Sequence, residues 1–325
     1  MGAWIRWSGA IAMAGLAAAA VAQVKIDPEL AKEVAAMRDS YNKMPDTSGT
    51  GPYAAIKEIP ATLPDHVLYR PSDLAPFGPK KKLGILVWGN GGCSADGASA
   101  RLHLEEIASH GYIAVAPGGI YSGPGASTAP PHPTSTVPGG PPPVSTTYKD
   151  VLAGLDWALA ENVRKGSPLY GKLDPNEVAV AGHSCGGLQA LQVAGDPRIK
   201  TVIINNSGIF ADGSQPITGI HVEKSLLKTL HTPIIYILGG PRDVAYPNGM
   251  DDFAKIDTVP VMVANLPVGH LATFAKPNGG VVASVSVDWL DWQLKGDARA
   301  AKRFTGAKCG LCTDPAWSVQ RKGID

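Results

Sequence analysis

The 325-residue sequence lacks a charge imbalance, with 29 Lys and Arg against 28 Asp and Glu. It has no basic stripe and no acidic tail, so neither nucleic acid nor an anionic membrane is indicated as a partner. An apolar run long enough to span a bilayer, about 20 residues, is also missing. The alanine-rich stretch after Arg6 ends near Val21, so no stable membrane insertion is expected. Cysteine is scarce, with four in the chain. Cys309-Gly310-Leu311-Cys312 has no second C-x-x-C and no paired histidines beside it, which argues against a metal site. No internal repeat is present, which argues against a solenoid or array.

What is present begins with residues 1–22, which have the form of a secretory signal peptide. Arg6 supplies a positive start, and Ala20-Val21-Ala22 fits a cleavage site before Gln23. The first cysteine is Cys93, too far away for a lipid anchor at that site. An exported chain, periplasmic or extracellular, is the expectation. Residues 23–325 then suit a single domain with one core. Cysteines in an exported chain point to disulfides, and Cys309 with Cys312 suits a small local one.

Along that chain, residues 28–43 read as a helix with Asp27 as N-cap and Pro28 in its first turn. Met44 to Pro64 reads as an extended wrap. Strands are expected at 66–70, 83–88, 112–116, 178–181, 199–205, 233–238 and, last, 259–264. Helices are expected at 98–110, 148–163, after 184, at 223–230 and at 281–294. Continuous apolar strands alternating with helices imply an α/β fold whose mostly parallel sheet is covered on both faces. Gly118 to Thr147 carries eight prolines and reads either as a lid or pocket wall, or as a surface insertion.

The segment Gly182-His183-Ser184-Cys185-Gly186-Gly187 lies between the apolar run 178–181 and the helical Leu188-Gln189-Ala190-Leu191. A serine on a sharp strand-to-helix turn presents its hydroxyl at the top of a sheet, and the flanking glycines admit neighbouring backbone. The helix N-terminal amides point where negative charge develops during acyl transfer. Ser184 is therefore the candidate nucleophile, with the Cys185 amide beside it.

That elbow, the order of elements and the loop Trp88-Gly89-Asn90-Gly91-Gly92-Cys93 resemble the α/β-hydrolase superfamily over roughly residues 83–294. Within it the chain resembles exported esterases of the cutinase, chlorophyllase and platelet-activating-factor acetylhydrolase-like groups. The resemblance implies an α/β-hydrolase fold with a core of about 66–294, leaving the Pro-rich loop 118–147 and a C-terminal tail 296–325 outside the pattern. It also implies the chain order Ser, Asp or Glu, His. His270, after the last expected strand, is then the base. Asp243, at the end of Ile234-Ile235-Tyr236-Ile237-Leu238-Gly239-Gly240-Pro241-Arg242-Asp243, is the acid, with Asp212, Asp251 and Asp252 as rivals. The adjacent His183 is expected to pack instead. The oxyanion hole falls to the Cys185 amide and one from Gly91, Gly92 or Cys93, since Gly-Asn-Gly-Gly-Cys replaces the familiar His-Gly-Gly-Gly.

Cys93 ends the oxyanion loop and Cys185 follows the nucleophile, so the two should lie close together. A Cys93–Cys185 disulfide clamping both amide donors is the expectation that goes beyond the family pattern. The function expected is cleavage of small-molecule or polymeric carboxylic esters through an acyl-enzyme, with no cofactor. Amide or peptide hydrolysis, and ligand binding without catalysis, are the alternatives. Trp88 could line the cleft or belong to the core. Nothing in the sequence bears on oligomeric state.

Overall fold

The computed structural model describes residues 39–130 and 143–325. The signal-peptide segment 1–22 and most of the helix expected over 28–43 lie outside the described residues; 39–43 are helical. Nine strands form one sheet in the order β1-β2-β4-β3-β5-β6-β7-β8-β9. They are β1 Ala55–Glu58, β2 His66–Pro71, β3 Leu83–Gly89, β4 Tyr112–Pro117, β5 Leu173–His183, β6 Thr201–Asn205, β7 Ile234–Leu238, β8 Val261–Asn265 and β9 Ser318–Lys322. The strands from β4 and β3 through β8 are parallel, while β1, β2 and β9 add antiparallel edges. The architecture is thus mixed α/β with a mostly parallel sheet.

Residues along the central strands alternate between two cores because side chains change face at each step. Ile85, Val87, Val178 and Val180 point into one core, and Leu86, Trp88, Ala179 and Ala181 into the other. The helices are α1 Arg101–Ser109, α2 Tyr148–Val163, α3 Cys185–Val193, α4 Tyr246–Lys255 and α5 Gly280–Lys295, followed by the short α6 Ala298–Ala301 and α7 Gly310–Thr313. Helices α2, α3 and α4 supply side chains to the first core, and α1 and α5 to the second. Trp88 is wholly buried in the second core and takes no part in a cleft. Thr147 starts α2 with a capping box closed by Asp150. No helix among the described residues is long and apolar enough to cross a membrane.

The wrap before β2 is held by polar groups that α1 buries. Arg101 bonds the carbonyls of Tyr41 and Met44 at 2.7 and 2.9 Å, and Glu105 accepts the Thr47 amide at 2.8 Å. This places β1 on the sheet edge, where the sequence suggested only extended chain.

The far edge requires a correction. The strand at 261–265 is not the last, and segment 296–325 is not a bare tail. β9 pairs antiparallel with β8, with Val263 opposite Gln320. Ser-Val-Gln-Arg-Lys is too short and polar to signal a strand by itself; the free edge of β8 supplies the partner. Arg321 then bonds the carbonyls of Phe304 and Gly306. The expected helix at 223–230 is a 3-10 turn, Lys224–Thr229. Helix α4 carries no clear sequence signal because Pro247 and Gly249 read as breakers. Pro247 nevertheless sits in the first turn, where its missing N–H costs nothing.

Candidate active site

Parallel β3 and β5 are neighbours, with Gly89 opposite Gly182, so the loops that leave their C-terminal ends emerge side by side. Helix α3 starts close above both ends. A Cβ on Gly186 would stand 2.1 Å from the Gly89 carbonyl carbon, and one on Gly89 would stand 2.2 Å from the Gly186 carbonyl oxygen. Only glycine permits that approach. Ser184 occupies the turn between β5 and α3 with φ 53° and ψ −123°, a conformation rare for a residue with a side chain. The turn is braced from below: the Ser184 amide donates to the Asn205 carbonyl at 3.0 Å, and Ser207 Oγ donates to the Ser184 carbonyl at 2.6 Å.

Ser184 Oγ lies 2.9 Å from His270 Nε2, and His270 Nδ1 lies 2.6 Å from Asp243 Oδ1. Asp243 leaves the loop after β7 and His270 the loop after β8, so residues from the ends of β5, β7 and β8 converge, with β6 between the first two. The Asp243 side chain is fully buried. Burial works to raise its pKa, but hydrogen bonds from His270, the Ala245 amide, Asn206 and the Gly239 amide outweigh it and hold the carboxyl at about 2. An ionised Asp243 accepts from Nδ1–H, which leaves Nε2 as acceptor for the serine hydroxyl. His270 keeps a side chain 30% exposed, so the relay opens to solvent at its reactive end.

The other candidates lie elsewhere. Asp252 accepts from buried Lys224, the Ile209 amide and Tyr236 Oη. Asp251 pairs with Lys224 and Lys255, and Asp212 accepts the Lys224 amide. His66 bonds Asp65 and the Asp150 carbonyl, and His110 bonds Glu106. His132 lies outside the described residues. Among the described residues, no group of three or more His, Cys, Asp or Glu side chains could hold a metal ion.

Cys93 and Cys185 are joined by a disulfide with Cα atoms 5.2 Å apart, and Cys309 with Cys312 forms the second. The first bond ties the loop after β3 to the first residue of α3. Within that loop the Cys93 amide is already bonded to the Asn90 carbonyl at 3.0 Å. That corrects the inclusion of Cys93 among the oxyanion donors. The amides of Gly91, Gly92 and Cys185 have no acceptor among the described residues. Buried Asn90 braces the loop, its Nδ2 donating to the carbonyls of Ser94 and Pro117 at 3.0 and 2.7 Å.

No family model matches the chain, and no curated protein matches it.

Of the Pro-rich loop, 131–142 lie outside the described residues, so the lid reading falls largely there. Its described end is fastened to the loop after β3: the Ser145 and Thr146 amides both donate to the Cys93 carbonyl, at 3.1 and 3.0 Å. Gln189 Nε2 fastens Thr146 to α3 at 2.7 Å.

Three functional neighbours escaped the sequence. Asn206 Nδ2 donates to Asp243 Oδ2 at 2.8 Å and to the Gly269 carbonyl at 3.0 Å. Its signal was an Asn-Ser pair directly after an apolar strand, where a left-handed residue is tolerated as asparagine; its φ is 47°. Ser207 is the second. The third is His183, which packs as expected but also bonds: its Nε2–H donates to the His270 carbonyl at 2.8 Å. A Cβ on Gly91 would stand 2.6 Å from His183 Nδ1, so this ring also explains the glycine that begins the loop. Burial pushes the His183 pKa down to about 4, keeping the ring neutral.

Proposed function

We propose that this chain is a serine hydrolase of carboxylic esters, built on an α/β-hydrolase fold. The observation that carries the reading is the continuous relay from Ser184 Oγ through His270 to Asp243, at 2.9 and 2.6 Å. Such distances are those required of a nucleophile, its base and the group that orients the base.

In this reading Ser184 Oγ attacks the ester carbonyl carbon as its proton passes to His270 Nε2. Asp243 remains ionised and stabilises the imidazolium. The carbonyl oxygen takes up the negative charge and is held by the Cys185 amide at the α3 N-terminus and by a Gly91 or Gly92 amide. The C–O bond to the alcohol breaks as His270 returns the proton to the leaving oxygen. Water, activated by the same histidine, then adds to the acyl-enzyme and releases the acid and free Ser184. Each oxyanion donor is worth about 10²–10³-fold in rate.

The two disulfides suit an oxidising compartment, which supports export to the periplasm or beyond. The test is hydrolysis of p-nitrophenyl acetate by wild type and Ser184→Ala, with fluorophosphonate labelling alongside. Activity and labelling that both vanish in Ser184→Ala are expected. A wild-type protein that hydrolyses no ester and takes no label overturns the reading and favours a binding role. One that takes the label but cleaves amides alone shifts it to amide chemistry.

A further inference from the structure

A cavity of about 470 Å³ lies where β1, α1 and the loop after β4 meet. It shares no lining residue with the opening at Ser184. The wrap contributes Asp46, Thr47 and Ser48, β1 contributes residues 55–57, α1 contributes Glu105, and the loop after β4 contributes Ile120 and Pro124. That volume falls within the range of about 300–1,000 Å³ usual for small-molecule sites. At about 30 Å³ for a water-sized group, it holds roughly 15 non-hydrogen atoms.

Glu105 is the residue that points to a ligand. It is 1% exposed, and its Oε2 accepts the Thr47 amide and hydroxyl at 2.8 and 3.3 Å. Its Oε1 accepts no hydrogen bond among the described residues. A buried carboxylate oxygen without a donor is costly. Burial pushes this carboxyl up to about 7, and Asp46 acts in the same direction, against the Thr47 amide, Lys57 and Arg101. A donor entering through the cavity supplies what Oε1 lacks.

The surrounding charges favour a ligand with none of its own. Asp46 pairs with Lys57, whose side chain is 5% exposed, and with wholly buried Arg101. Two cations and two carboxylates therefore balance when Glu105 is ionised, and a charged ligand would have no counter-charge left to meet. Lys57 Nζ carries three N–H donors and Asp46 takes one, so donors remain in the same cavity as the free acceptor. A hydroxyl both donates and accepts, so adjacent hydroxyls can serve Glu105 and Lys57 without adding charge. Ile56, Ile120 and Pro124 give the cavity an apolar wall for C–H groups.

We infer that this cavity binds a neutral polyol the size of one monosaccharide, with adjacent hydroxyls on Glu105 and Lys57 and C–H groups on Ile56, Ile120 and Pro124. The site is separate from Ser184 and does not depend on the serine-esterase reading.

The experiment is titration calorimetry at about pH 8, above the Glu105 pKa of about 7. The probes are glucose, galactose and sorbitol, with glucuronate and N-methylglucamine as charged analogues. At least one neutral probe should bind saturably, and both charged analogues at least about tenfold more weakly. Glu105→Gln keeps an acceptor for Thr47 and replaces Oε1 with an NH₂ donor, so it should weaken binding at least about tenfold. Ser48→Trp, at an exposed wall position, should obstruct the cavity and weaken binding as much while leaving Tm unchanged. It covers the first variant should that fail to fold. Ser184→Ala should bind as wild type does. No saturable binding by any neutral probe, equal binding of a charged analogue, or undiminished binding in either cavity variant overturns the inference. Loss of binding in Ser184→Ala also overturns it, by placing the polyol at the nucleophile.

Discussion

His183 Nε2 lies 2.8 Å from the carbonyl oxygen of His270, so the residue before the proposed nucleophile holds the backbone of the proposed base. Its ring also packs edge-on to Phe274 and lies 5.2 Å from the His270 ring. The elbow, the loop at Gly91 and the loop after β8 thereby meet at one neutral imidazole. His183→Phe keeps the packing and removes the donor. A drop in kcat of about tenfold with KM little changed is expected, since small misplacement of a catalytic group costs up to about 10². His183→Gln, which restores a donor, should recover part of it. Equal losses in both variants would show that only the ring's bulk matters.

The disulfide between Cys93 and Cys185 crosses 92 positions of chain. In the chain-entropy account a bond closing a loop of that size contributes up to about 4–5 kcal/mol, by restricting the unfolded chain. Both cysteines are buried, so reductant alone should leave the native protein active, whereas reductant with denaturant should block refolding to full activity. The Cys93→Ala, Cys185→Ala double variant should melt lower and lose roughly ten- to hundredfold in kcat, because Gly91, Gly92 and the α3 N-terminus are no longer fastened together. Normal kcat with a lowered Tm would reduce the bond to a structural one.

Ser184 stood out in the sequence because its turn lies between an apolar strand and a helix. Asp243 and His270 came instead from the chain order that the α/β-hydrolase resemblance implies, with Asp212, Asp251 and Asp252 as rivals. Those rivals stood until the parallel strands were seen to bring the Ser184, Asp243 and His270 loops to one edge. Asn206 follows an equally apolar strand, β6, but its part depends on a side-chain direction that no spacing encodes. The Cys93–Cys185 bond was foreseeable because Cys93 ends the loop expected to hold the oxyanion and Cys185 follows Ser184; the adjacency of β3 and β5 is what brings them together. Cys93 as an oxyanion donor was not excludable, since the turn that engages its amide is backbone geometry. β9 escaped for a different reason: its pairing is set by the β8 edge rather than by its own polar residues.

Asn206 allows a test that separates backbone strain from hydrogen bonding. Its φ of 47° favours Asn or Gly. Asn206→Gly keeps the backbone at ease and removes the donor to Asp243 and Gly269. Asn206→Ala adds strain of about 1–2 kcal/mol. Both should lower kcat to a similar degree, and the alanine variant alone should melt measurably lower than the glycine variant. If the glycine variant keeps full activity, Asn206 serves the turn and not Asp243.

His103 sets an acid limit on stability. Its ring is wholly buried between Trp88 and Phe274, and neither nitrogen reaches a partner among the described residues. Burial pushes its pKa from 6.5 down to about 3, with the nearby His183 acting in the same direction. As pH falls below 6.5 the unfolded chain binds a proton here that the folded chain refuses, so the unfolded state gains. Stability from this group is complete above about pH 6.5 and is lost progressively down to about pH 3. Glu105, raised by burial to about 7, acts oppositely, and the comparison of wild type with His103→Phe cancels it. The phenyl ring retains the stacking and removes two unsatisfied polar atoms, a burden of about 1–3 kcal/mol. Chemical denaturation at about pH 7 and about pH 4.5 should therefore show a variant at least as stable as wild type at the higher pH and relatively more stable at the lower. A gap that stays constant with pH would mean that His103 takes up its proton in the folded state, through a partner the buried ring must then turn to find.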